Sequence, residues 1–101
     1  MENLKIQPAK EKKIKNINKE DFKLALSGIV INKEDNSFVL DDGTGQVSVF
    51  LENNNVKNSD YIRVFGNLIN FENGIELQAE FIQDLNKIDK KLHQKILDLL
   101  E

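Results

Sequence analysis

Two runs in which apolar residues recur at every second place stand on either side of Asp41-Asp42-Gly43-Thr44-Gly45. This arrangement leaves few choices of fold. Phe22, Leu24 and Leu26 alternate with polar or small residues before it, and Val47, Val49 and Leu51 alternate after it. Period two belongs to a strand with one buried face. Asp-Gly tolerates the positive φ values of a tight hairpin turn. Gly28 sits in the middle of the first run, where a missing side chain permits a bulge or a sharp coil. Strand, polar loop, strand, tight turn and strand form the opening meander of a small closed barrel.

The rest of the chain continues the pattern. The first strand covers about 22–32, a polar loop follows at 32–37, and the next two strands cover about 37–42 and 46–52. Asn53-Asn54-Asn55-Val56-Lys57-Asn58-Ser59 has room only for turns where such a barrel commonly carries a short helix. A fourth strand at about 60–71 alternates Ile62 and Val64 against Tyr61, Arg63 and Phe65, with Gly66 at mid-strand. Asn73-Gly74 marks another hairpin, and a fifth strand at about 75–83 turns Ile75, Leu77 and Ala79 inward. From Ile88 the period changes: Ile88, Leu92, Ile96 and Leu99 share one face of a helix, and Asn86 or Asp89 can cap it. The fold class expected is all-β with a C-terminal helix, a five-stranded barrel of the oligonucleotide/oligosaccharide-binding (OB) type. Ile14 and Ile17 read as one anchoring turn that plugs the barrel. The domain reading is a flexible basic arm at 1–13, the OB-fold domain at 14–85 and a C-terminal assembly helix at 86–101.

Composition narrows the function. One core fits 101 residues. No apolar run approaches the ~20 residues of a membrane span and no leader follows Met1, so an intracellular location (cytoplasm or nucleoid) and no membrane partner are expected. The chain has no cysteine, and His93 is its single histidine, which speaks against thiolate zinc sites and histidine-based metal or acid–base chemistry. The net charge of −3 is uneven: residues 1–15 carry +3 and the remainder −6. Asp41-Asp42 near Glu52 is ordinary turn chemistry and lacks the spacing of a calcium loop. No phosphate-cradling glycine loop or nucleophile elbow is present. Neither an enzyme, nor a cofactor, nor a metal is expected. The many asparagines read as codon bias or loop filler.

At this point the residues resemble a known family. Leu26-Ser27-Gly28-Ile29-Val30, Val39-Leu40-Asp41-Asp42-Gly43-Thr44-Gly45, Tyr61-Ile62-Arg63-Val64-Phe65-Gly66 and Phe71 look like the OB domain of the replication protein A middle subunit and its small archaeal relatives. The tail from Asp84 to Leu100 is similar to that subunit's C-terminal assembly helix, so the resemblance covers roughly residues 14–101. Each motif alone is common among nucleic-acid OB domains; their order, with the helix directly after the fifth strand, is the more specific signal. The resemblance implies a minor subunit of a heterotrimeric single-stranded DNA-binding complex used in replication, recombination and repair. It departs from the pattern in lacking a long phosphorylated N-terminal tail, a C-terminal winged helix and a tryptophan platform.

An OB barrel holds single strands by aromatic faces under bases and cations along phosphates. Phe71, at the fourth turn beside Asn70 and Asn73, matches a phenylalanine that stacks on DNA in the family; otherwise it plugs its loop. Phe50 points outward by parity with Ser48, toward a base or equally toward another subunit. Phe65 shares that outward parity but could be covered, and Phe22, Phe38 and Phe81 read as core. Lys33 on the first loop and Arg63 on the fourth strand are the candidate cations, although a surface lysine is usually just solvated. Asn32, Asn36, Asn70 and Asn73 could bond bases or sugar. An acidic body neutralises few phosphates, so the isolated domain should bind DNA weakly. The stripe Ile88, Leu92, Ile96 and Leu99 either folds back on the barrel or joins partner OB-fold subunits in a helix bundle, making a hetero-oligomer. Two rival readings stay open: an OB-fold interaction scaffold of a genome-stability complex, and an RNA-binding OB module.

Overall fold

A computed structural model describes residues 9–100. Six strands and one helix follow in order: β1 (Lys10–Glu11), β2 (Lys23–Ile31), β3 (Ser37–Asp41), β4 (Gln46–Phe50), β5 (Tyr61–Phe71), β6 (Gly74–Asp84) and α1 (Lys90–Leu100). The sheet order is β1-β2-β3-β4-β6-β5, and β2 pairs again with β5 to close the ring. This is the expected five-stranded OB barrel with its terminal helix, plus β1 as one extra strand.

Closure rests on β2 serving two neighbours. Lys23–Ile29 pairs antiparallel with β5, and Ile29–Ile31 pairs antiparallel with β3. The hand-over needs a close backbone approach at Gly28, where a Cβ would stand 2.7 Å from the Asp41 carbonyl oxygen. Inside the ring, alternation delivers Leu24, Leu26, Val30, Phe38, Leu40, Val47, Val49, Ile62, Val64, Leu68 and Leu77 to one core. The two ends are stoppered from outside the wall. Val56, from the turn-only connection between β4 and β5, is buried at one end. Ile14, in the 3-10 turn Ile14–Asn16, is buried at the other.

The Asp-Asp-Gly-Thr-Gly turn holds that second stopper. Asp42 Oδ2 accepts the Ile14 N–H (2.8 Å), while Oδ1 accepts the Thr44 N–H (2.8 Å) and its hydroxyl (2.6 Å). Gly43 takes φ +86° to turn the chain.

Three expectations are corrected. The flexible basic arm expected at 1–13 does not extend through its last residues: residues 1–8 lie outside the described residues, but Lys10–Glu11 pairs parallel with Leu24–Ala25. Lys12 then reaches Asp21 at 2.8 Å. Burial works to raise the Asp21 carboxyl, but Lys12 and the Asn18 N–H outweigh it and hold the group below the ordinary carboxylate value. Phe22, expected in the core, is exposed because it stands at the rim, one residue before β2 begins at Lys23, although its carbonyl still accepts the Leu68 N–H. Phe81 is exposed as well. Phe65 opposes Phe81 but Gly66 opposes Ala79, so Glu80 is an extra residue that reverses the parity of β6. Ile82, not Phe81, packs on the core.

The bulge is possible only beside a glycine: a Cβ on Gly66 would lie 2.3 Å from the Gln78 carbonyl oxygen and 2.9 Å from the Ala79 Cα, both backbone atoms. Gly66→Ala is therefore expected to destabilise the barrel by about 3 kcal/mol or more, read from the midpoint of denaturant unfolding. A cost within the ~0.5 kcal/mol of an ordinary surface change would refute the packing argument.

Candidate nucleic-acid interface

The outer surface of β3, β4, β6 and β5 forms a continuous face whose rows follow from the register. Ser37, Phe50, Gln78 and Asn67 lie level across the four strands. Val39, Ser48, Glu76 and Ile69 form the neighbouring row. Phe71 opposes Gly74 at the tip of the β5–β6 hairpin, with Glu72 and Asn73 as the turn. Phe50 is 38% exposed and Phe71 53% exposed, so two phenylalanine rings stand in solvent on one sheet face.

At the far end of the face the loop 32–36 rises beside β3. Asn32 adopts φ +50°, and the Lys33 N–H is held by Asn58 Oδ1 at 3.0 Å. Between loop and sheet lies an open groove of about 650 Å³ lined by Asn32, Lys33, Glu34, Ser37, Val39 and Ser48, among others. Rings for stacking, hydroxyls and carboxamides for base edges, and one ammonium for a phosphate are the ingredients of single-strand recognition. Lys33, Phe50, Phe71 and Asn73 thus border one face.

Two predicted residues stand elsewhere. Asn70 donates its amide to the Lys19 carbonyl at 3.0 Å, tying the segment before β2 to β5. Arg63 is committed to a joint beneath α1. Its Nη1 donates to Gln83 Oε1 (3.0 Å), its Nε stands 3.1 Å from Glu11 Oε2 as an ion pair poorly aligned for a hydrogen bond, and its Nη2 lies 2.9 Å from His93 Nε2. A guanidinium holds four chain segments together here and has no free edge for a phosphate.

The same joint sets the histidine. Arginine only donates, so His93 Nε2 must carry a lone pair. The ring proton of the neutral imidazole then sits on Nδ1, 2.6 Å from the Tyr61 hydroxyl oxygen, which accepts it. The rings meet edge to face at 5.7 Å. Burial pushes the His93 pKa below its ordinary 6.5, and the Arg63 charge pushes it the same way against the opposing effect of Glu11. Tyr61 points outward as its parity requires, yet it is buried because His93 covers it.

Asp89 Oδ1 caps the helix by accepting the Leu92 N–H at 3.1 Å, while Asn86 is used on the Tyr61 N–H. Lys13 and Asp98 pair at 2.7 Å near the last turn. With His93 and Leu97 turned to the barrel, Ile88, Leu92, Ile96 and Leu99 stand exposed, Leu99 at 86%.

Residues 24–85 match the OB-fold nucleic acid binding domain family. The chain belongs to that family. No curated protein matches the sequence. Among solved structures, the telomere capping protein Ten1 from S. pombe superposes with a TM-score of 0.73 at 19% identity, over 91% of this chain and 96% of that one. A chain of the S. pombe Stn1–Ten1 complex gives 0.74 at 18% identity, over 92% and 91%. A chain of a replication protein A heterotrimer bound to single-stranded DNA gives 0.53 at 24% identity, over 73% and 66%. At these identities the likeness is one of fold.

Sequence reasoning missed His93, on the helix after the matched domain, and Phe81, within it. The histidine was weighed only as a ligand or a catalytic group, and nothing in its helical spacing names Tyr61 or Arg63 as partners. For Phe81 the signal was Gly66, since a glycine inside a strand warns that alternation can break opposite it.

The joint predicts a pH dependence. The folded pKa of His93 lies below the unfolded one, so the unfolded chain binds the proton more readily. The stabilising contribution of the neutral ring is complete above about pH 6.5 and is lost as pH falls through the folded value. Unfolding midpoints taken from neutral to mildly acidic pH should fall more steeply for the native chain than for His93→Gln, whose carboxamide does not titrate. Parallel slopes would exclude His93 as the titrating group.

Proposed function

We propose that this OB-fold chain is a small subunit of a replication protein A-like complex that binds single-stranded DNA during replication, recombination and repair, in the cytoplasm or nucleoid. The observation that carries this reading is the pair of solvent-exposed rings, Phe50 and Phe71, on one outer sheet face beside the Lys33 groove. Bases stack across that face, Lys33 meets the backbone, and Asn73 with the β3 and β4 hydroxyls bonds base or sugar edges. The structural likeness to a chain of a heterotrimer bound to single-stranded DNA supports it.

Assembly uses the other surface. Leu92, Ile96 and Leu99 form an exposed apolar stripe on α1, continued by the exposed Ile88 just before its Asp89 cap, while another side of the helix is locked to the barrel by His93. Leaving such side chains in water costs ~1.5–3 kcal/mol each relative to burial. Helices of partner OB-fold subunits bury them in a bundle. The likeness to a chain of the Stn1–Ten1 complex supports a hetero-oligomer. The acidic body, −6 outside residues 1–15, favours the rival reading of an interaction scaffold that touches little DNA.

The two readings part on one measurement. In the complex that co-purifies with the full chain, Phe50→Ala and Phe71→Ala should each weaken binding of a fluorescent oligo(dT) on the order of tenfold, from stacking worth ~1–3 kcal/mol per base. Unchanged affinity in the double variant would establish the scaffold instead, and preference for oligo(rU) over oligo(dT) would establish an RNA-binding module. Separately, Leu92→Asp with Ile96→Asp should abolish co-purification while leaving the far-ultraviolet circular dichroism of the barrel intact; retained partners would rule out the helix as the assembly element.

A further inference from the structure

We propose that the path of the single strand continues past Phe50, over β6 and β5, to a second aromatic platform made by Phe81 stacked on Phe65. This rests on the single-strand reading above and extends it to Phe81, which the sequence pattern assigns to the core, and to Phe65, whose outward parity that pattern leaves without a role. The two rings lie 4.5 Å apart between centroids at 19° to one another, one on each of two paired strands. Phe65 is half-buried, whereas Phe81 is 56% exposed. Because β6 lies between β5 and β4, the ring face of Phe81 that Phe65 does not cover is turned to the β4 side of the sheet, three residues along β6 from Gln78, where Phe50 closes the β4–β6 ladder. A stack with one open face accepts another flat ring.

The ground beside the stack has the matching chemistry. Gln78 and Asn67 stand level with Phe50, and Lys23 is level with Asn67 on the next strand. Two carboxamides supply donors and acceptors for base edges, and one ammonium supplies a phosphate contact. Lys23 is held over this spot, 3.3 Å from Asn67 Oδ1 and 3.6 Å from Glu80. Such a surface suits nucleobases better than a protein's apolar side chains, which would strand the carboxamides.

The bulge explains why this phenylalanine is available at all. Uninterrupted alternation from Ile75, Leu77 and Ala79 would bury residue 81; the extra residue Glu80 turns it out, at the cost of a glycine requirement at position 66. Bulges of this kind re-aim side chains near functional sites. A large apolar ring presented by a special backbone feature is a local rule broken for a purpose outside the core.

The test uses the co-purified complex and fluorescent oligo(dT) of graded length. Phe81→Ala should leave binding of the shortest oligonucleotides, which reach only Phe71 and Phe50, unchanged. It should weaken the longer ones on the order of tenfold. Phe81→Leu should lose as much, since leucine keeps apolar area but offers no ring. Light-induced crosslinking of an oligonucleotide carrying 5-iododeoxyuridine should mark the peptide containing Phe81. If both variants bind every length like the native complex, with no adduct, while Phe50→Ala and Phe71→Ala still weaken binding, the second platform is refuted and the single-strand reading survives. If Phe50 and Phe71 variants are also without effect, the single-strand reading fails first. Loss of co-purifying subunits at unchanged oligo(dT) affinity would make the patch a protein contact and overturn the proposal. Equal thermal midpoints across the variants keep folding out of the comparison.

Discussion

Everything on this molecule's surface depends on β2 pairing with two strands at once. Its first seven residues bond β5 and its last three bond β3, sharing Ile29, and the turn from one partner to the other passes through Gly28 against the Asp41 carbonyl. Once the ring is shut there is one inside, and the period of two sorts each side chain to core or exterior without appeal. The rows that face solvent across β3, β4, β6 and β5 are a consequence of that closure. So is the burial of the wall under β1 and α1. A side chain cannot leave the core unless the backbone itself slips, which is what Glu80 accomplishes for Phe81.

The exterior is divided between two jobs that do not compete. One part carries exposed rings, carboxamides and sparse cations. The other is sealed by a polar joint in which Glu11, Tyr61, Arg63, Gln83 and His93 bring β1, β5, β6 and α1 together. An arginine there serves geometry: it dictates the histidine tautomer, and the tautomer in turn engages the tyrosine. The joint holds one side of α1 against the barrel, and only for that reason does the helix offer its other side as a defined apolar stripe.

Much of this was legible in the chain, for reasons that can be named. The strands, the Asp-Asp-Gly-Thr-Gly turn, the stopper at Ile14 and the outward parity of Phe50 all depend on neighbours within a few residues. Phe22 and Phe81 were misplaced because alternation is a local rule, and it fails where a wall ends or a register shifts. Arg63 had the right type and an outward position for a phosphate contact, yet its charge is consumed by residues 30 positions away in His93 and 52 away in Glu11. The asparagines were undervalued too: Asn32 and Asn53 take left-handed backbone, and Asn58 and Asn86 accept backbone N–H groups from distant segments.

The sequence by itself determined the barrel, its helix and the candidate rings at Phe50 and Phe71, since periodicity and turn chemistry act over short stretches and survive translation into strands. Tertiary structure alone decided which aromatic residues stand in solvent, that the Arg63 cation is committed to the barrel and which side of the helix is spoken for. Those outcomes depend on registers and contacts between segments far apart in the chain, and pairwise distances of that kind leave no local signature.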